Sequence, residues 1–289
     1  MRLKAAVSAT VANLGPGFDC LGMALDLKNE ITVDVDAEPS VEIEGEGEGE
    51  LPRDASNLIF RAMSYLAREA GGSLPAFSLS CVNRIPLERG LGSSSSAVVA
   101  GLALADRMLG TNLSPDRLLE VAVDIEGHAD NVAAALRGGL QLAYLSSDGW
   151  RAEALQLSPD LRPVVCVPLN ERMPTQEARR VLPVQVARED ASFNSGRTAL
   201  LVVALAGRTE LLSEALEDRL HQPVRLPLVP SSRALFEDLR EAGVPVCVAG
   251  AGPSLLAFES DDRKVPELGP GWEVLRVKPD PAGVKVHEG

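Results

Sequence analysis

The sequence predicts an α+β fold of two lobes, on three observations. Hydrophobic residues recur with a period of two in some segments and about 3.6 in others, so both strands and helices are expected. These segments interleave without a strict strand–helix–strand repeat, which favours a two-layer α+β arrangement over a doubly wound parallel sheet. With 289 residues, the chain is long enough to bury a full core, either as one large domain or as two lobes that share a core.

The first half of the chain carries the elements of one lobe. Alternating apolar residues predict strands of an antiparallel meander at residues 3–9, 31–35, 41–43 and 77–82. Apolar residues at helical spacing predict helices at residues 57–69, 94–109, 115–125 and 131–136. The Glu-Gly alternation of residues 42–50 is interpreted as an acidic, solvated hairpin or loop. A strand at 140–145 ends this half, and the turn at 146–149 predicts a boundary between lobes 1–148 and 149–289.

The second half repeats the mixture with elements of its own. Strands are predicted at residues 163–167, 244–249, 254–258 and 272–277. Helices are predicted near residues 176–181, 194–206, 210–217 and 233–242. The tail at 279–289 is expected to be loosely ordered.

Composition excludes several classes of partner. A net charge of −13 argues against binding to nucleic acid or to anionic membrane surfaces. The first residues lack a signal-peptide apolar run, and no stretch reaches the roughly 18 apolar residues of a membrane span. The four cysteines, at positions 20, 81, 166 and 247, are scattered in apolar surroundings, which indicates reduced, buried thiols rather than disulfides or a zinc site. We therefore expect a cytoplasmic protein.

The most informative segment is the Gly-Ser run at residues 86–96, which opens onto an apolar helix. Gly90 and Gly92 allow positive φ and close approach of backbone N–H groups to an anion, while the helix start adds unpaired amides. The segment is not a Walker A loop, because no Gly-Lys-Ser/Thr ends it. Two interpretations remain about equal on this segment alone: a phosphate cradle, or a serine N-cap that follows a tight turn.

Three further segments carry polar residues between apolar ones. Asn13 and Asp19 lie on a glycine-rich turn that suits a ligand bearing an ammonium or hydroxyl group, although a plain Asx turn is at least as common. In the segment 126–131, Glu126 or Asp130 could ligate Mg²⁺, whereas His128 is interpreted as a structural histidine. The glycine-rich turn at 250–254 is a weak signal by itself.

Taken together, these segments resemble the GHMP kinase superfamily over nearly the whole chain. The resemblance rests on Asn-Leu-Gly-Pro-Gly-Phe-Asp at 13–19, Gly-Leu-Gly-Ser-Ser at 90–94, Glu-Gly-His-Ala-Asp-Asn at 126–131 and Gly-Ala-Gly-Pro-Ser at 250–254. Within the superfamily, the first segment, His-Ala-Asp-Asn and the arginine contexts at 175–179 and 222–225 resemble the branch that phosphorylates L-homoserine. The resemblance implies a two-lobed α+β fold with mixed or antiparallel sheets, and ATP-dependent formation of O-phospho-L-homoserine in threonine biosynthesis.

The resemblance also implies roles for individual residues. ATP would lie over Pro86, Leu87, Glu88, Arg89, Gly90, Leu91, Gly92, Ser93, Ser94, Ser95 and Ser96, with Asn57 as a candidate adenine contact. Mg²⁺ would be held by Ser94 and Glu126, and homoserine by Asn13, Asp19, Asn131, Arg179, Arg225 and Gly252. Taken singly, either arginine would be interpreted as an ordinary surface salt-bridge partner.

Two assignments have named alternatives. The short spacing between Glu126 and His128 departs from the pattern of some relatives, and an ungapped count would select Glu120 as the metal ligand instead. Asp130 could act as a general base, but the resemblance favours Asn131 orienting the acceptor hydroxyl with Asp130 in a supporting role.

Competing functions follow from the same residues. Another small-molecule kinase of the superfamily, acting on mevalonate or a sugar alcohol, would share the Gly-Ser run at residues 86–96, called the phosphate loop below. Such a kinase would not need a pair of arginines to bind a carboxylate. A nucleotide-binding regulator without catalysis would not need the metal and acceptor groups together, and a purely structural protein would leave the glycine-rich turns unexplained. We expect small-molecule partners, and a homodimer is a reasonable expectation for a metabolic enzyme.

Overall fold

The computed structural model describes residues 1–289 and contains two sheets. The seven strands of the larger sheet are β1 (Arg2–Ala12), β2 (Leu21–Asp34), β3 (Ser40–Gly45), β4 (Ser78–Asn83), β5 (Leu140–Ser146), β6 (Gly149–Leu155) and β11 (Lys285–Glu288). The four strands of the smaller sheet are β7 (Arg162–Pro168), β8 (Val246–Val248), β9 (Leu255–Glu259) and β10 (Trp272–Arg276). This arrangement confirms the predicted α+β class with mixed and antiparallel sheets.

Nine α-helices pack against the sheets. They are α1 (Leu58–Glu69), α2 (Ser93–Leu109), α3 (Pro115–Glu126), α4 (Asp130–Arg137), α5 (Thr175–Arg180), α6 (Arg188–Ala206), α7 (Leu212–Ala215), α8 (Gln222–Arg225) and α9 (Pro230–Glu241). The predicted helix at 210–217 is instead a 3₁₀ turn at Thr209–Leu211 followed by the four residues of α7. No helix combines the length and the apolar character needed to cross a membrane.

Two large apolar clusters and a smaller one organise the core. The first fills the space between the larger sheet and α1 to α4. The second joins residues of β1 and β2 to α6, β7 and β9, so it crosses from one lobe to the other. The third lies between the smaller sheet and α9. Because residues of both lobes contribute to the second cluster, the two lobes pack directly against each other beside the segments that carry the polar motifs.

The predicted antiparallel meander is wrong for one pair of strands. β3 and β4 pair in parallel, whereas β2 pairs antiparallel with β1, β4 and β5. The chain passes through α1 between β3 and β4, and a crossover of this kind is what parallel pairing requires. The acidic 42–50 segment is divided accordingly, because residues 42–45 belong to β3 and only the remainder forms turns. β2 also begins ten residues before the predicted strand at 31, since its buried start lacks apolar–polar alternation.

The predicted lobe boundary falls inside a hairpin. Ser146 and Gly149 pair at its tip, and β6 returns along β5 in the larger sheet. The chain passes from one sheet to the other between Leu155 and Arg162 instead.

The prediction of a loosely ordered tail is also wrong. β11 pairs antiparallel with β1, with Leu3 opposite Glu288. Just before it, Asp280 is buried and accepts hydrogen bonds from Ser8 Oγ at 2.6 Å and from Lys28 Nζ at 2.7 Å. The partners of the tail lie at the other end of the chain, so local sequence pattern does not reveal them.

All four cysteines are free, as expected. Cys81, Cys166 and Cys247 are buried, and Cys20 is half-buried. Burial raises the pKa of the Cys81 and Cys166 thiols to about 12, which keeps them protonated and unreactive at neutral pH.

Candidate active site

The N-terminus of α2 faces a cavity between the lobes. Gly92 precedes the helix in the left-handed conformation, with φ of 69°, and no side chain caps the first turn. The first turn also lacks an acidic residue. Its amides and the positive end of the helix dipole are therefore available to an anion, as a phosphate cradle requires.

Close packing explains the two glycines before the helix. A Cβ at Gly90 would collide with the Ala249 carbonyl, and a Cβ at Gly92 would collide with Thr10 Oγ1. Both residues have positive φ, at 72° and 69°. Only glycine meets both requirements, so the loop can lie against β1 and the 249–252 turn.

Glu126, at the end of α3, reaches the start of α2. Ser94 Oγ donates to Glu126 Oε2 at 3.1 Å, and Ser95 Oγ donates to Oε1 at 3.2 Å. The alternative carboxylate, Glu120, lies in another network, where it pairs with Arg117 and Arg151. The fold therefore brings Glu126 to the phosphate loop and leaves Glu120 in surface ion pairs.

The buried Asp130, the first residue of α4, pairs with the half-buried His128 just before that helix. One oxygen of Asp130, Oδ1, lies 2.7 Å from the Asn131 amide nitrogen and 3.1 Å from His128 Nδ1. Burial acts to lower the pKa of His128, but the hydrogen bond and charge of Asp130, with the charge of Glu126, outweigh it and raise that pKa. His128 thus has the buried structural partner expected from the sequence, although it also lines the cavity.

The Asn131 side chain is held by a residue that the sequence analysis did not select. Thr10 Oγ1 donates to Asn131 Oδ1 at 2.7 Å. Thr10 is fully buried, and its backbone N–H donates to the carbonyl of Leu91 in the phosphate loop. Because Oδ1 receives this hydrogen bond, Nδ2 is the end of the amide left for the cavity.

Arg225 lines the same cavity as the phosphate loop, and only 3% of it is exposed. Its Nε donates to Ala178 O at 3.3 Å, and its Nη1 donates to Gly250 O at 3.2 Å. Burial lowers the pKa of the guanidinium to about 10, which leaves the group charged at neutral pH. Nη2 has no hydrogen-bond acceptor in the protein, so it remains available to a ligand.

A salt bridge between two other side chains also lines this cavity. Arg179 Nη2 and Asp19 Oδ1 form a salt bridge at 3.1 Å, with each side chain about two-fifths exposed. The 13–19 turn is fixed by Asn13, whose Oδ1 accepts from the Asp19 amide at 3.0 Å while Nδ2 donates to Gly250 O at 2.7 Å. Asn13 therefore lines the cavity mainly as a brace between two loops, with one N–H and one lone pair left over.

Two cavities meet at the phosphate loop. The first, of about 130 Å³, is lined by most of the predicted site residues, including Asp19, Glu126, Asn131, Arg179 and Arg225. The second, of about 320 Å³, is more apolar and is lined by Asn57 and Leu87 among others. Glu88, Ser93 and Ser94 line both. A polar chamber and an apolar chamber thus adjoin along one loop.

Two of the predicted contacts do not line either cavity. Ser96 is fully buried, and its hydroxyl donates to the Ser93 carbonyl at 3.0 Å inside the helix. Gly252 closes its own turn by donating to Ala249 O at 2.8 Å, and its neighbours Gly250 and Ala251 face the polar cavity instead. Asn57, by contrast, lines the apolar cavity, and it also serves as the N-cap of α1 by accepting a hydrogen bond from the Ile59 amide at 3.0 Å.

The structure adds lining residues that sequence reasoning missed. Met173, just before α5, and Thr175, the first residue of α5, face the polar cavity. The Met173 amide donates to the carbonyl of Glu88 at 3.0 Å, which ties this segment to the phosphate loop. No local signal marks these residues, because only their contact with a distant loop places them at the site.

Comparisons with known proteins find family models and relatives that match this chain. Residues 57–139 match the family model of the GHMP kinases N terminal domain, and residues 200–268 match that of the GHMP kinases C terminal. The chain is 44% identical over 291 residues to a homoserine kinase of Streptomyces avermitilis, covering 98% of this chain and 95% of the relative. It is 40% identical over 268 residues to a homoserine kinase of Synechocystis, covering 91% of this chain and 87% of the relative.

A solved structure gives the same result for the fold. The crystal structure of a homoserine kinase from Cytophaga hutchinsonii superposes with a TM-score of 0.84 at 28% identity, covering 99% of this chain and 97% of that chain. The match spans both lobes and therefore includes the cavity between them.

Proposed function

The chain belongs to the homoserine kinases, a family of GHMP kinases, and from that premise we propose that its reaction, the phosphorylation of homoserine, takes place in the polar cavity between α2 and Arg225. The γ-phosphoryl group of ATP is transferred to the side-chain hydroxyl of L-homoserine. The products are ADP and O-phospho-L-homoserine, which lies on the route to threonine.

One observation carries the choice of substrate. The cavity that the start of α2 faces also presents a carboxylate, Asp19, and two guanidinium groups, Arg179 and Arg225. An amino acid needs both: a carboxylate for its ammonium group and a guanidinium for its carboxylate. Mevalonate and sugar alcohols carry no ammonium group, so they offer Asp19 no cationic group to bind in addition to Arg179.

ATP fits the two adjoining cavities. The apolar cavity beside Asn57 and Leu87 accommodates the adenine, while the amides at the start of α2 take the phosphates. Both positions lie along the same loop, since Ser93 and Ser94 line both cavities. Because the protein has a net charge of −13, ATP phosphates need such a locally electropositive site to bind.

GHMP kinases generally use ATP with a divalent metal, and the oxygens of Ser94 and Glu126 suit Mg²⁺. The protein has no group of three or more His, Cys, Asp or Glu side chains that could hold a metal ion. Phosphate oxygens and water would therefore complete the coordination, as is usual for Mg²⁺ beside a nucleotide. When bound, the ion neutralises charge on the β- and γ-phosphates.

The chain's own residues orient the acceptor. Asn131 Nδ2, set by Thr10, donates to the oxygen of the homoserine hydroxyl and directs it toward the γ-phosphorus. As the new oxygen–phosphorus bond forms, the bond between the γ-phosphorus and ADP breaks, and the hydroxyl proton passes to the transferred phosphoryl group. Asp130 keeps its supporting role, since its Oδ1 already binds Asn131 N and His128. Phosphoryl transfer depends mostly on positioning and charge neutralisation, so no dedicated base is needed.

The test is ADP release by purified protein with ATP and Mg²⁺, with L-homoserine, D-homoserine, L-threonine and mevalonate as acceptors. We expect selective turnover of L-homoserine, with the phosphorylated product identified by ³¹P NMR. Turnover of mevalonate or another alcohol, but not of L-homoserine, would retain the phosphate loop and reject the amino-acid pocket.

A further inference from the structure

We propose that His221 is a positioning residue that sets the guanidinium of Arg225 for the substrate carboxylate. This inference rests on the proposed function, because it takes Arg225 as the carboxylate ligand. The sequence gives no hint of such a role, since His221 lies in none of the glycine-rich segments.

His221 is completely buried immediately before α8, one helical turn from Arg225. Its Nε2 lies 2.8 Å from the carbonyl oxygen of Gly15, and its Nδ1 lies 3.2 Å from Arg225 Nη1. Its ring stacks on Phe18 with centroids 5.1 Å apart. One imidazole thus contacts both the 13–19 turn, which carries Asp19, and Arg225.

The chemistry of the two partners fixes the tautomer. A carbonyl oxygen only accepts, so Nε2 must carry the hydrogen that is donated to Gly15. A guanidinium only donates, so Nδ1 must be the unprotonated nitrogen that accepts from Arg225. The ring is therefore neutral, with the hydrogen on Nε2. Asp218, whose Oδ2 lies 3.7 Å from Nε2, acts to raise the pKa of His221, but burial and the charge of Arg225 outweigh it and lower that pKa, which agrees with a neutral ring.

The hydrogen bonds of Arg225 show what this arrangement achieves. Of the five guanidinium hydrogens, three are directed to protein acceptors: Ala178 O, Gly250 O and His221 Nδ1. The two on Nη2 have no protein acceptor. Arg225 Cζ also lies 5.4 Å from the centre of the Phe18 ring. Removal of the Nδ1 acceptor would leave Nη1 one partner short, and the guanidinium plane could then rotate away from the substrate.

Two substitutions separate the two hydrogen bonds of His221. In His221→Asn, the amide oxygen can occupy the position of Nδ1, so the acceptor for Arg225 is kept and the donor to Gly15 is lost. In His221→Gln, the amide nitrogen can reach the position of Nε2, so the donor to Gly15 is kept and the acceptor for Arg225 is lost. Both remove the ring from the same buried site, so each is a control for the loss of packing in the other.

The measurements are KM for homoserine, KM for ATP, kcat, and the Kd of homoserine by calorimetry without ATP. For His221→Gln we expect KM and Kd for homoserine to rise about tenfold or more, with kcat and KM for ATP little changed. For His221→Asn we expect homoserine binding within about threefold of the unsubstituted protein. Equal losses in both variants, or unchanged binding in His221→Gln, would overturn the proposal.

A measurement on the unsubstituted protein keeps the proposal testable if either variant fails to fold. The ¹⁵N shifts of the His221 ring should show hydrogen on Nε2 and an unprotonated Nδ1 at neutral pH, and any other state would overturn it. Failure of the proposed function is a different result. It would appear as absence of homoserine turnover in the unsubstituted protein, whereas failure of this proposal leaves that turnover intact.

Discussion

Thr10 and Asn131 are 121 residues apart in the chain, and the hydroxyl of Thr10 donates to the side-chain oxygen of Asn131 at 2.7 Å. This single contact decides which end of the asparagine amide faces the acceptor site. The same threonine holds the phosphate loop through its backbone bond to Leu91. In the proposed mechanism, strand β1 therefore holds both the residue that orients the acceptor and the loop that binds the phosphates.

Replacement of Thr10 by valine should lower kcat by about tenfold or more while leaving both KM values little changed. Valine has the same shape, so packing is kept, but the Asn131 amide loses the partner that orients it. ADP release at saturating substrates measures the effect. Thr10→Ser restores the hydroxyl and is expected to restore most of kcat; if Thr10→Val retained full kcat, the orientation of Asn131 would have another origin.

The assignment of the metal ligand is tested by two glutamine substitutions. Glu126→Gln should lower kcat about 100-fold or more and raise the Mg²⁺ concentration needed for half-maximal activity, because the only carboxylate hydrogen-bonded to Ser94 is lost. Glu120→Gln is the matched control, since it removes only the ion pairs with Arg117 and Arg151. Loss of Mg²⁺-dependent activity in Glu120→Gln, with Glu126→Gln unaffected, would reverse the assignment.

The parts of the site that sequence predicted are those with a local signature. Gly90 and Gly92 signal a tight loop before a helix, and the structure has that loop and that helix. The choice of Glu126 rests on the family resemblance, and the structure brings its carboxylate within 3.1 Å of Ser94 Oγ. The family model carries the order of the segments, so the two lobes were also predictable. The loop and the helix start depend on residues that are neighbours in sequence, which is why the local pattern reveals them.

The parts that sequence missed depend on contacts between distant residues. Thr10 meets Asn131 and His221 meets Gly15, separated by 121 and 206 residues, and neither contact leaves a periodic pattern. Ser96 lies in the same serine run as Ser94, yet helical geometry turns its hydroxyl back onto Ser93. Composition cannot distinguish these two serines, because only the direction of each side chain from the helix separates them.

Arg179 and Arg180 are neighbours that should differ sharply in function. Arg179 is half-buried and pairs with Asp19 in the cavity, whereas Arg180 is exposed and makes no salt bridge. Arg179→Gln should raise KM for homoserine about tenfold, because a charge-assisted hydrogen bond to the substrate carboxylate is lost, with KM for ATP unchanged. Arg180→Gln should match the unsubstituted protein in both constants. Equal effects of the two substitutions would mean that Arg179 acts only as general surface charge.

The tail is predicted to stabilise the fold through Asp280. The carboxylate accepts hydrogen bonds from Ser8 Oγ and Lys28 Nζ through Oδ2 and from the Ala282 amide through Oδ1, and so links the tail to β1 and β2. Asp280→Asn should lower the free energy of unfolding by about 1 to 3 kcal/mol at pH 7, since charge-assisted hydrogen bonds are replaced by weaker neutral ones. Urea unfolding followed by circular dichroism measures the loss. Asp261→Asn, at an exposed ion pair with Arg162, is the control and should leave stability unchanged.

The ionisation of Asp280 determines how the difference in unfolding free energy between Asp280→Asn and the unsubstituted protein depends on pH. Burial acts to raise the pKa of Asp280, but its hydrogen bonds with Lys28, Ser8 and the Ala282 amide outweigh it and hold the pKa below its ordinary value. A group whose pKa is depressed by folding contributes its full stabilisation above the unfolded value of about 3.9, and the contribution is lost as pH falls through the folded value. The gap in stability between Asp280→Asn and the unsubstituted protein should therefore be constant from pH 7 to about pH 5 and shrink below about pH 4. A gap that stays constant down to acid unfolding would show that the asparagine acts by altered packing instead of by loss of the charge.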